Sequence, residues 1–246
     1  MDGVRPSLSG RALAMEVHRR LCPVFGCPIE YFHRLGPMEE LVSSFLNHRT
    51  RNRDASRAYH ALRAALPSWA AVRDAPTSQV EELIAPCTWP ETKAPRLQEI
   101  LSMVGERAER FDLGFLSGMS VSDARAWLEA LPGVGPKTSA AVLSFSTLRM
   151  PALPVDSHHH RVAQRLRLIP PKMGTGPAHA VLAGFMPPDW DAQTVYDHHQ
   201  VFMRLGQRTC HWRRPTCRDC PLLDLCPEGA RRTGVVAETG DLFGRD

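Results

Sequence analysis

Leu131-Pro132-Gly133-Val134-Gly135-Pro136-Lys137-Thr138 is the stretch around which the rest of this chain falls into place. Two glycines flank one small apolar residue, so the backbone can turn tightly and visit positive φ at little steric cost. Pro136 suits the first position of a helix, where its missing N–H loses nothing. The run Thr138–Thr147, rich in Ala, Val, Leu and Phe, reads as that helix. A glycine turn feeding a helix start leaves backbone N–H groups of Gly133, Val134 and Gly135 free to face an anion, and a nucleic-acid phosphate fits. A nucleotide-cradling loop would need Gly-x-x-x-x-Gly-Lys-Ser/Thr. Here Pro136 separates Gly135 from Lys137, and Ala130 stands where the first glycine belongs.

The same turn places Lys137 just inside a helix start. The chain has only three lysines (Lys93, Lys137, Lys172), its other basic side chains being arginine and histidine. An amine desolvated near the positive end of a helix dipole can serve as a nucleophile; a solvated one would touch phosphate as a point charge. Downstream, Pro154-Val155-Asp156-Ser157-His158-His159-His160 supplies a carboxylate. Asp156 suits a helix N-cap and equally the support of proton transfer and of a cationic transition state. Three consecutive histidines point about 100° apart on a helix and do not converge on one ion. One imidazole, His158, is assigned to a phosphate.

Cys210, Cys217, Cys220 and Cys226 form C-x6-C-x2-C-x5-C, four thiols in one short loop. Such spacing suits a soft metal centre, either zinc or an iron–sulfur cluster. Structural zinc usually takes two C-x2-C knuckles, and only one is present.

Taken in order, the glycine turn with its lysine, Val-Asp-Ser-His and the four cysteines resemble endonuclease III, of the helix-hairpin-helix DNA glycosylase superfamily. The resemblance covers residues 38–227. It implies an all-α, two-lobed fold: a six-helix barrel lobe with the hairpin at 38–150, a discontinuous cluster lobe from 1–37 and 151–227, and a tail at 228–246. It further implies a [4Fe–4S] cluster on the four cysteines, Lys137 as nucleophile and Asp156 as catalytic carboxylate. The implied activity is bifunctional: excision of oxidised pyrimidines through a lysine Schiff base, then β-elimination at the abasic site. A mismatch-specific thymine or uracil glycosylase, or a weakly active or non-catalytic DNA-binding relative, stands as the alternative.

Composition agrees. A 246-residue chain can bury a substantial core, and no apolar run approaches the ~20 residues that cross a membrane. The net charge of +4 is a modest basic excess compatible with nucleic acid. Seven cysteines, four of them in a cluster pattern, point to a reducing, intracellular setting. Cys22, Cys27 and Cys87 have no evident partner and are expected as buried or half-buried thiols. The partner implied is double-stranded DNA carrying damaged bases or abasic sites, bound by a monomer with no membrane role, in the cytoplasm at the nucleoid.

Apolar spacing predicts helices at 10–22, 38–47, 52–66, 79–84, 96–109, 157–167, 178–185 and 191–205, another from Ser122 to the hairpin, and negligible strand. Two loops are candidates for the duplex. In the family, the loop after the first barrel helix carries a glutamine wedge; here Leu46-Asn47-His48-Arg49-Thr50 lacks glutamine, with His48 or Arg49 in its place. The loop Pro86–Pro95 holds Trp89, which can stack between bases or sit in the core. Arg213 and Arg214, in the basic loop between the cysteines, are assigned to phosphates.

Overall fold

Helix starts in this chain are marked by side chains that accept the otherwise unpaired N–H groups of a first turn. Ser68, Ser120, Asp156 and Asp191 each do so, accepting from Ala71, Asp123, His159 and Thr194. The computed structural model describes residues 8–235. Among them lie twelve α-helices and no strand, so the all-α expectation holds. In chain order the first six are α1 (Gly10–Phe25), α2 (Pro37–Leu46), α3 (Asn52–Ala65), α4 (Trp69–Asp74), α5 (Thr77–Leu83) and α6 (Pro90–Arg107). The rest are α7 (Val121–Glu129), α8 (Pro136–Phe145), α9 (Ser157–Arg165), α10 (Thr175–Gly184), α11 (Ala192–Arg208) and α12 (Pro227–Thr233).

The chain divides into two units. One is continuous, Tyr31–Met150; the other joins Met1–Glu30 to Pro151–Asp246. In the continuous unit α2 packs on α8, α4 and α5 on α6, and α7 on α8. Leu41, Val42, Leu46, Leu97, Ile100, Leu101 and the apolar face of α8 are buried there. Residues 31–37, expected with the termini, belong to this unit. Arg149 explains it: its guanidinium lies 3.4 Å from the ring centroid of Tyr31 and donates to the His33 carbonyl at 3.1 Å. In the divided unit α11 packs on α9 and on α1. Gly206 permits the α9–α11 approach, because a Cβ there would stand 2.7 Å from the Cβ of His158.

Three expectations are corrected. The proline-bounded loop Pro86–Pro95 is mostly helix: α6 begins at Pro90, whose fixed φ suits a first helical position, and runs through Pro95. Cys22 and Cys27 are not thiols but a disulfide. Gly26 at φ 76 folds the chain back after α1, so the N–H groups of Gly26 and Cys27 both reach the Cys22 carbonyl and the two Cα atoms lie 5.0 Å apart. Part of the expected tail is the helix α12; residues 236–246 of that tail, like residues 1–7, lie outside the described residues. Cys87 is a buried free thiol, as expected. None of the described helices is long and apolar enough to cross a membrane.

Candidate functional site

In the continuous unit the glycine stretch turns between α7 and α8. Leu131 N–H reaches the Leu128 carbonyl at 3.0 Å and Val134 N–H the Leu131 carbonyl at 3.1 Å, closing the turn. Gly133 takes φ 77, the left-handed region where a side chain is strained. Gly135 is instead extended and serves as N-cap of α8, with Pro136 first and Lys137 second in the helix. No side chain accepts the first-turn N–H groups of α8, which leaves a positive, donor-rich end. A polar tie fixes the two helices: the Ser139 hydroxyl donates to Glu129 at 2.6 Å, and Arg125 reaches the same carboxylate at 3.0 Å. Val134 is buried, Lys137 half-buried and Gly133 exposed.

Three of the basic groups of this unit, Lys93, Arg49 and Lys137, act together on one imidazole, that of His48. Burial first, then the charges of Lys93, Arg49 and Lys137, push the His48 imidazole below its ordinary range, so it is favoured neutral amid cations. His48, Arg49 and Trp89 are all exposed, Trp89 at 51%, which excludes its core reading. Lys93, unassigned by sequence, is buried beneath them.

In the divided unit Asp156 is the N-cap of α9, its Oδ1 accepting the His159 N–H at 2.7 Å. The three histidines diverge, as helical geometry requires. His158 Nδ1 lies 3.1 Å from the Arg161 guanidinium, His160 Nε2 lies 2.9 Å from the Met173 carbonyl oxygen, and His159 is wholly buried against Phe202 at 4.3 Å between ring centroids. His198 and His199 are buried as well, which assigns them to the core rather than to DNA.

Cys210, Cys217, Cys220 and Cys226 line a single hollow together with Arg165 and Gly229. Among the described residues no three His, Cys, Asp or Glu side chains converge on a one-ion site. Burial pushes the thiols of Cys220 up to about 11 and of Cys226 up to about 12, so uncompensated thiolates are disfavoured there. The compensation available is local. Arg165 Nη1 lies 3.0 Å from Cys210 Sγ, and Gly229 N–H points at Cys226 Sγ at 3.3 Å. Four cysteines, with a cation at one sulfur and an N–H at another, are a donor set that fits a thiolate-bound metal centre.

Two arginines of α9 hold the loop in which these cysteines sit. Arg161 donates to the carbonyls of Cys210 at 2.9 Å and Gly206 at 2.7 Å; Arg165 donates to those of His211 and Trp212, both at 2.9 Å. Arg213 and Arg214 stand exposed on that loop, next to Trp212 at 71% exposure. Sequence reasoning passed over Arg161 and Arg165 because arginines on a helix ordinarily read as a solvated face.

Against known proteins, residues 42–186 match the model of the HhH-GPD superfamily of base-excision DNA repair proteins. Endonuclease III of Bacillus subtilis is 34% identical over 141 residues, which is 57% of this chain and 58% of that protein. Endonuclease III of Treponema pallidum is 36% identical over 135 residues, 55% of this chain and 57% of that one. The chain thus spans little more than half the length of these curated relatives. A solved endonuclease III trapped as a covalent intermediate with DNA superposes with TM-score 0.75 at 22% identity, over 92% of this chain and 99% of that one, a likeness of fold. The matched region holds the glycine hairpin, Lys137 and Asp156, and on that match the chain belongs to the HhH-GPD superfamily of base-excision DNA repair proteins.

Proposed function

We propose that this protein is a bifunctional DNA glycosylase and abasic-site lyase, with Lys137 as its nucleophile. The observation that carries the proposal is the place of Lys137, half-buried and second in a helix whose glycine-built start leaves backbone N–H groups for a phosphate. A lysine so placed works on the sugar of a nucleotide whose flanking phosphate the hairpin grips. The flipped nucleotide exposes C1′ to the amine. The nitrogen forms a bond to C1′ as the bond to the damaged base breaks, and the base leaves with a proton. Ring opening gives an imine between Lys137 and C1′. Loss of a C2′ proton then expels the 3′ phosphate by β-elimination, and water releases the lysine. Asp156 acts as the carboxylate that takes the amine's proton and balances positive charge on the sugar.

The expected substrates are duplexes with oxidised or ring-saturated pyrimidines, or bare abasic sites. Exposed Arg213 and Arg214 would contact phosphates, and binding should weaken steeply with salt. Cys210, Cys217, Cys220 and Cys226 would hold a [4Fe–4S] cluster. When bound, the cluster supplies covalent cross-links that fix the loop, with Arg165 offsetting its negative charge.

Borohydride reduction of the protein on an abasic duplex tests the reading. A covalent adduct is expected that Lys137→Ala abolishes. Base release from a thymine or uracil mismatch with no adduct would instead favour the monofunctional alternative.

A further inference from the structure

Lys93 sits in the first turn of α6 with only 6% of its surface exposed. Its ammonium donates three hydrogen bonds of 2.8 Å each, to the carbonyls of Leu46 and His48 and to Thr50 Oγ1. All three acceptors are neutral, and all lie in one five-residue loop. A buried ammonium with no carboxylate against it among the described residues is an expensive way to stabilise a fold. Burial accordingly pushes its pKa down. A methionine would fill the same space without the buried charge but would leave the acceptors of Leu46, His48 and Thr50 unpaired, which directs attention to what the bonds hold.

A second joint lies beside the first. Thr88 N–H donates to Thr50 Oγ1 at 3.1 Å, and the Thr88 hydroxyl donates to the Arg49 carbonyl at 3.0 Å. The oxygens of residues 46, 48, 49 and 50 are therefore all engaged from the α6 side. Immediately beside these bonds, Arg49 takes φ 53 and Trp89 takes φ 56. Each is a left-handed conformation costing on the order of 1 kcal/mol for a residue with a Cβ. Both side chains end exposed. Two strained, outward-facing residues thus stand on either side of one polar joint, and the charges of Lys93, Arg49 and Lys137 all reach His48, the neighbour of Arg49.

We propose that Lys93 is a positioning residue that locks the Leu46–Thr50 loop to the Cys87–Trp89 loop, so that Arg49 and Trp89 meet the DNA duplex as one rigid element. The inference rests on the function proposed above, since it takes a damaged duplex as substrate. Lys93 itself touches neither sugar nor base; it acts through the two loops. Its worth lies in sparing the complex the entropy of ordering them at each encounter.

The test is a double-mutant cycle on the full chain, read by single-turnover cleavage of an abasic duplex. Lys93→Met is expected to slow cleavage by about tenfold or more, the scale set by small misplacements. In the background Arg49→Ala/Trp89→Ala, the same change should cost less than about twofold, because nothing remains to be positioned. If the two losses multiply, Lys93 serves the fold at large and the proposal is overturned. Equal rates for wild type and Lys93→Met overturn it too, while leaving the function intact. If the wild type cleaves no duplex at all, the proposed function falls, and this proposal with it. Should Lys93→Met lose cooperative unfolding, Thr50→Val carries the same cycle, since it removes the hydroxyl that accepts from both Lys93 and the Thr88 N–H and leaves Lys93 itself in place.

Discussion

Asp156 Oδ1 lies 2.7 Å from the backbone nitrogen of His159, so the carboxylate proposed for chemistry is already engaged as the cap of α9. The two roles separate by substitution. Asparagine caps about as well as aspartate, whereas alanine forfeits about 1 kcal/mol of helix stability. Asp156→Asn should therefore leave the urea midpoint nearly unchanged and still lower the rate of adduct formation by about a hundredfold or more. Asp156→Ala should lose both. Full activity in the asparagine variant would reduce Asp156 to a cap.

His159 sets the acid limit of stability. Neither of its ring nitrogens meets a hydrogen-bond partner among the described residues, and burial, reinforced by His198 and His199, holds its pKa well below 6.5. His198 is held down in the same direction by burial. The folded chain thus binds fewer protons at these sites than the unfolded chain, whose imidazoles titrate near 6.5. Their contribution is complete above that pH and is lost as pH falls towards the folded pKa values, by up to about 1.4 kcal/mol per pH unit for each ring. His159→Phe keeps the stacking on Phe202 and removes two unpaired buried nitrogens. It should be at least as stable as wild type at pH 7.5 and clearly more stable at pH 5, measured by urea unfolding. Parallel pH profiles for the two proteins would refute this.

Much of this was legible before any coordinates. The hairpin could be found because Gly-Val-Gly-Pro states its own backbone: one glycine for positive φ, one to cap, a proline to start the helix. Cysteine spacing announced the hollow they line. What escaped depended on partners distant in sequence. Pro90 and Pro95 read as breakers, yet a proline at a helix start is harmless, and Lys93, bonded across to residues 46–50, anchors the first turn of α6. The disulfide escaped because pairing over five residues needs the left-handed Gly26, which spacing alone does not reveal. Arg165 reads as a surface charge until the cysteine loop folds over it.

Removing the proposed [4Fe–4S] cluster from the cysteine loop should have local consequences. With the thiols of Cys220 and Cys226 pushed up by burial, the empty loop holds neutral sulfurs that nothing cross-links. Protein stripped of iron should become protease-sensitive within residues 209–226 while α9 and α11 stay resistant. Cys226→Ser should be colourless as purified. Arg165→Met should keep the visible absorption but bleach severalfold faster in oxidant, because the cation 3.0 Å from Cys210 Sγ and two carbonyl anchors are gone. Equal bleaching rates would leave Arg165 without a role at the centre.

The two glycines of the hairpin should answer differently to the same substitution. A Cβ on Gly133 has room, since its nearest neighbours would be Arg96 Cγ at 3.5 Å and Phe45 Cε2 at 3.6 Å, but φ 77 strains any residue that carries one. Gly133→Ala should cost about 1–2 kcal/mol or force the turn open. Gly135 is extended and a Cβ there meets nothing within 4 Å, so the free protein should tolerate alanine. That methyl would nonetheless sit at the helix start where a phosphate is proposed to lie. Gly135→Ala should then unfold like wild type and bind an abasic duplex about tenfold or more weakly, with a shallower dependence of affinity on salt. Unchanged binding and an unchanged salt slope would mean that this helix start does not carry the phosphate, whatever the hairpin's shape suggests.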